Sequence, residues 1–142
     1  MTTSDRSAWA IGSMFAGAGV AHFARPDFFE AIVPRWFPNP KVANQVSGVA
    51  EIACGVAMFP RRTRRWASFG LLGILAGVFP ANVDMYLHDV DMVPGADGRM
   101  ERVENAGGVR TRNLTRLPFQ FVFAVLVWRH TRRVSPTQDV TP

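Results

Sequence analysis

Val42-Ala-Asn-Gln-Val-Ser-Gly-Val-Ala-Glu51-Ile-Ala-Cys-Gly-Val-Ala-Met-Phe59 is an apolar run whose one charge is Glu51. Its length is close to what a bilayer core requires of a spanning helix. A carboxylate in the middle of such a run costs roughly 2.5–3.5 kcal/mol to insert, so it faces a protein interior or water and has a task. Ser47, Glu51, Cys54, Gly55 and Met58 fall on one face of a helix at spacings of four, seven, eight and eleven. Working outward, three more apolar runs read as walls around that carboxylate.

Before it lies Ala8–Ala24, apolar except for Ser13 and His22. Residues 1–7 are polar and read as a disordered lead. Arg6, a short apolar core and Ala16-Gly17-Ala18 resemble a cleavable signal, but the apolar run continues past that site. Ser13, Gly17 and Ala21 recur every four residues, the pattern by which helix backbones approach closely in lipid. Arg25–Pro40 follows. Asp27 and Glu30 have capping-box spacing, and Phe28, Phe29, Ile32, Val33, Trp36 and Phe37 repeat at helical intervals. That segment reads as a short interfacial amphipathic helix with Trp36 in the aromatic belt, or as a hydrophobic loop packed on the bundle top; both put it over the helix ends.

After it comes Pro60-Arg-Arg-Thr-Arg-Arg65, read as a basic turn, and a third run from Trp66 to Leu87. Gly73, Gly77 and Ala81 form a second small-residue ridge there, and Pro80 stands beside Asn82. His88–Asn113 is polar and glycine-containing, hence a loop. A fourth run spans about 115–129, with Thr115 as its expected N-cap and Pro118 in its first turn. Arg116 and Gln120 share a face one turn apart. The expected architecture is all-α: a four-transmembrane-helix bundle, spans about 8–24, 42–59, 66–87 and 115–129, in a single domain 1–142.

Mean hydropathy of the 142-residue chain is only +0.05, because apolar runs alternate with charged ends. Lys41 is the sole lysine among 16 basic residues. A net charge of +5 raises the question of nucleic acid, but no basic stripe lies along a helix, so nucleic acid is not expected as a partner. The dense arginines of 61–65 and 129–133 place both termini of a multi-pass membrane protein in the cytoplasm, with the lipid bilayer as partner. Cys54 is alone, which excludes an intrachain disulfide and a CxxC redox pair. His88, Asp89 and Asp91 lack the spacing of a known metal site, so no metal is expected.

This layout gathers His22, Glu51, Asn82, Arg116 and Gln120 toward one end of the bundle as an outward-facing polar cluster, with Glu51 as its floor. Glu51 and Arg116 are expected to be coupled directly or through Gln120 and water; the alternative is a protonated Glu51 donating to Asn82, with Arg116 free at the interface. No cofactor is encoded in the sequence.

His22-Phe23 with Pro26, Ser47-Gly48 with Glu51 and Gly55, Pro80-Ala81-Asn82, and Arg116-Leu117-Pro118 with Gln120 together resemble the DoxX family of small integral membrane proteins, over about residues 8–130. The resemblance implies a four-helix bundle in the cytoplasmic (inner) membrane of bacteria. It also implies association with a membrane redox system, with a quinone as the diffusible cofactor and a membrane or envelope redox protein as partner. Under that reading Glu51 and His22 move protons while Arg116, Asn82 and Gln120 hold a carbonyl or oxyanion. The alternative is a non-enzymatic module that binds a small solute or assists assembly. The 88–113 loop is longer than the family's usual one.

Overall fold

The computed structural model describes residues 2–132. Its elements run α1 (Thr3–Ala24), α2 (Pro26–Ile32), α3 (Pro40–Ala57), α4 (Arg61–Leu87), β1 (Asp91–Pro94), β2 (Met100–Val103) and α5 (Arg110–Trp128). Four long helices form two packed pairs, α1 on α3 and α5 on α4, joined through α3 and α4.

The helix ends differ from the sequence expectation for local reasons. Residues 3–7 are not a loose lead: they are the first turn and a half of α1. Thr2 and Asp5 make a capping box there, with Thr2 Oγ1 accepting from Asp5 N and Asp5 Oδ2 accepting from Thr2 N. Arg61–Arg65 is not a turn but the start of α4, entered through Pro60. Thr115 is not a cap, because α5 already begins at Arg110, and its hydroxyl donates to the Arg112 carbonyl instead. Asp27 lies inside α2, where Pro26 takes the first position and no side chain caps the helix. The segment 88–113 contains an antiparallel hairpin in which Asp91 pairs with Val103 and Pro94 with Met100.

The four-span bundle and the multi-pass inner-membrane placement are both overturned. Among the described residues a single helix, Arg61–Leu87, is long and apolar enough to cross a membrane, and 17% of its apolar window is buried in the chain. The other helices fall short in length or composition. In α5 the stretch free of charge runs only from Leu117 to Trp128, about 18 Å at 1.5 Å per residue against a core of about 30 Å. Helix α3 carries Lys41, Asn44, Gln45 and Glu51. Helix α1 spends its first residues on Thr-Ser-Asp-Arg-Ser and is otherwise dominated by alanine and glycine. Arg133 and the rest of the basic and polar C-terminal segment used in the orientation argument lie outside the described residues.

The bundle is closed at one end and splayed at the other. At the closed end Ala8, Ile11, Phe15, Met58, Ala67, Leu71, Leu75 and Val127 form the core. Phe15 meets Phe123 edge-on at 6.4 Å, so α1 touches α5 there. The Asp5 carboxylate accepts from Arg61 at 2.5 and 3.0 Å and from Arg64 at 3.0 Å. Arg64, itself buried, also donates to the carbonyls of Met58 and Phe59 that the end of α3 leaves unpaired. The Arg61 guanidinium foremost, with the Thr2 amide and Arg64, holds the Asp5 carboxyl well below the usual carboxylate range.

The two small-residue ridges have opposite fates. On α1 the contact face is Gly12, Ala16 and Gly19, one or two positions before the expected Ser13, Gly17 and Ala21. A Cβ on Gly12 would lie 2.6 Å from the Gly55 carbonyl oxygen, and one on Gly48 would lie 2.8 Å from the His22 Cβ. Gly17, Gly73 and Gly77 have nothing within 4 Å. Among the described residues the Gly73 and Gly77 positions of the α4 ridge therefore pack against no neighbour.

Candidate functional site

The unpacked ridge of α4 is the back wall of a cleft. Gly73, Gly77 and Ala81 face the α3 residues Val46, Ser47, Ala50 and Glu51 across a volume of about 700 Å³. Helix α2 and the turn after it close the top with Phe29, Ile32, Trp36 and Phe37. Trp36 and Val46 are exposed at the rim, so the cleft opens on one side. A volume of this size is typical of sites for small organic molecules.

His22, Glu51, Asn82 and Arg116 all line this cleft. Gln120 does not; it sits behind Asn82, whose Nδ2 donates to Gln120 Oε1 at 2.8 Å. Gln120 in turn donates to the Leu75 carbonyl. That carbonyl lies within a turn and a half of Pro80 along the same helix, in the stretch where Pro80 removes one backbone donor. Gln120 thus aims Asn82 and fastens α5 to α4.

The expected coupling of Glu51 to Arg116 is not what the structure shows. Glu51 pairs with His22, whose Nε2 is 3.7 Å from Glu51 Oε2. The orientation of His22 is fixed by Asn44. Asn44 Nδ2 donates to the His22 carbonyl at 3.1 Å, which turns Asn44 Oδ1 toward His22 Nδ1 at 2.6 Å. An amide oxygen can only accept, so Nδ1 carries a proton. Phe29 stacks on the ring at 3.9 Å and holds its plane. Nε2 is left facing a carboxylate. A bare ring nitrogen opposite an ionised carboxylate would set two lone pairs together, so one proton resides on the pair.

Burial alone would favour the neutral ring. The Glu51 carboxylate and the Asn44 contacts outweigh it and raise the His22 pKa above that of a free imidazole. Glu51 Oε2 is buried with no hydrogen-bond partner. It is one of four such side-chain atoms among the described residues, and the only one whose residue lines the cleft. A buried acceptor left unpaired is costly, and such exceptions in native folds call for a reason.

Arg116 stands on the opposite helix pair, half-buried, with no ion pair among the described residues. Asp84, Asp89 and Asp91, at the end of α4 and the start of the hairpin, are already taken. Arg112 holds Asp91 at 2.5 Å, Arg102 and His88 hold Asp84, and the Gly107 amide holds Asp89. Burial first, then the like charge of Arg112, press against the charged form of Arg116. A compensating anion would be welcome there.

The hairpin holds the roof. Arg102, whose side chain is 9% exposed, reaches Asp84 on α4, Glu104 at 3.0 Å, and the carbonyls of Ile32 and Val33 at the end of α2. Asp27 on α2 accepts from the Met100 amide at 3.0 Å, which lowers its pKa. A second, more polar cavity of about 720 Å³ lies behind, with Asp27, Glu30, Lys41 and Arg99 on its wall, and His22 and Asn44 border both.

Asn44 and Arg102 went unread in the sequence, and Phe29 was read only as part of the apolar face of the short helix, not as the ring that stacks on His22. Asn44 had a usable signal, a buried-type amide one and two turns before Ser47 and Glu51 on the same helix. Arg102 had none, because its partners lie some 18 and 70 residues away.

Residues 11–131 match the family described as Domain of unknown function (DUF8561), and the chain belongs to that family. Comparisons with curated proteins and with solved structures return no match.

Proposed function

We propose that this protein is a binding domain for a small, largely apolar molecule that carries polar groups, and that it performs no reaction of its own. The observation that carries the reading is the cleft between the two helix pairs. Its walls are mostly apolar, yet a buried carboxylate oxygen without a partner and an unpaired guanidinium both border it. Four polar residues behind the DoxX resemblance, His22, Glu51, Asn82 and Arg116, are cleft residues, which supports a binding role for them. An apolar body gains about 25 cal/mol per Å² of surface removed from water, and the polar groups fix its orientation.

Native mass spectrometry and calorimetric titration with a panel of apolar acids, alcohols and naphthalene dyes test the proposal. The expected result is a saturable complex of one molecule per chain, with a negative heat-capacity change. Absence of saturable binding across the panel would overturn it.

A further inference from the structure

We propose that the molecule taken by the cleft is bifunctional, with a compact anion such as a carboxylate at the Arg116 end, a hydroxyl at the Glu51 end, and an apolar chain or ring between them. The inference rests on the binding role proposed above and names the chemistry of that ligand. Three observations carry it.

The first is Glu51 Oε2. It is buried, lacks a hydrogen-bond partner, and belongs to a residue on the cleft wall. Its neighbour His22 is held at 3.7 Å, too far to satisfy it. With Nδ1 committed to Asn44 and Nε2 protonated toward Glu51, the imidazolium and the carboxylate cancel and the pair carries no net charge. The pair therefore neither attracts an anion nor demands a cation. It offers an acceptor oxygen, and a hydroxyl is the group that satisfies an acceptor without adding charge.

The second is Arg116. With the His22–Glu51 pair neutral, this guanidinium is the net charge of the cleft. It makes no ion pair among the described residues, and Asp91 and Asp84 are paired with other cations, Asp91 with Arg112 and Asp84 with Arg102 and His88. A planar guanidinium matches a carboxylate through two parallel hydrogen bonds.

The third is the placement of the two groups. Glu51 stands on α3 in one helix pair and Arg116 on α5 in the other. Val46, Ile74, Gly73 and Gly77 line the same cleft and offer no polar side chain. A molecule with one polar end satisfies one of the two groups and leaves the other bare. A molecule with both satisfies both.

The test titrates the full chain with ω-hydroxy fatty acids of rising length, beside the parent fatty acids and the n-alkanols of the same lengths. At one matching length the hydroxy acid should bind about tenfold tighter than either single-function probe, the worth of one charge-assisted hydrogen bond. Arg116→Gln should weaken both acids about tenfold and leave the alkanol unchanged. Glu51→Gln should reduce the advantage of the hydroxy acid over the fatty acid. The wild-type comparison needs no variant to fold. If fatty acid and hydroxy acid bind equally at every length, or if the alkanol binds tightest and Arg116→Gln changes nothing, the bifunctional ligand is overturned while the cleft still binds. If no probe binds, the binding role itself fails.

Discussion

Glycines on α1 and α3 and glycines on α4 look alike in sequence and do opposite things. Gly12, Gly48 and Gly55 let two backbones touch: a Cβ at any of them would meet backbone or a rigid neighbour under 3 Å away. Among the described residues a Cβ at Gly73 or Gly77 would meet nothing within 4 Å, and the side chains these glycines lack leave room for the cleft. A spacing of small residues therefore states that side chains are absent along a line. It does not state whether another helix or a ligand fills the line.

The largest effect should separate those two sets. Gly48→Leu forces a side chain into His22 and Phe23 and should cost more than about 3 kcal/mol, enough to unfold the chain in denaturant titration. Gly77→Leu should leave the folded state intact by circular dichroism. Equal damage from both would erase the distinction.

Next in size is the roof. Arg102→Met removes the cation from buried Asp84 and releases the end of α2. Breaking a buried pair costs about 3–5 kcal/mol where no other group can respond. His88 remains within 3.1 Å of Asp84, so the lower end is expected here. Hydrogen exchange should show the protection lost in α2 and the hairpin, not at the closed end around Asp5. Loss spread evenly over the chain would show that the two ends are not separate units.

A smaller effect of the opposite sign is expected from Gly77→Ala. It adds a methyl group to open space inside a helix and should raise stability by about 0.5–1 kcal/mol. The same change at Gly12 should lower it.

The smallest effect concerns His22. Its folded-state pKa is raised. Its contribution is thus fully present below the ordinary imidazole value of about 6.5 and is lost as pH rises through the higher folded value. Chemical denaturation from acid to mildly alkaline pH should show the wild type losing stability relative to His22→Gln over that range. Parallel curves would remove the shared proton.

Much of the helix layout was legible, because apolar periodicity and proline punctuation are local signals. The apolar runs around Phe15, Glu51, Leu75 and Phe123 all became helices. What they do not state is whether a helix meets lipid, and charge inside α3 and the short apolar stretch of α5 weigh against that. The cleft residues His22, Glu51, Asn82 and Arg116 were legible as polar groups in apolar runs. Their pairing was not, since depth along separate helices says nothing about azimuth: His22, not Arg116, faces Glu51. The closed end was misread for the same reason, because Asp5 and Arg64 are 59 residues apart and each looks like solvated surface alone.

The central claim is that the gap left by Gly73 and Gly77 is a ligand chamber. Binding of an ω-hydroxy fatty acid to the wild type, to Gly77→Leu and to Gly17→Leu tests it most directly. Gly77→Leu fills the cleft, while Gly17→Leu adds the same side chain on the outer face of α1, where nothing lies within 4 Å. The account predicts that Gly17→Leu binds like the wild type and that Gly77→Leu loses binding while remaining folded. Undiminished binding by a folded Gly77→Leu would contradict it.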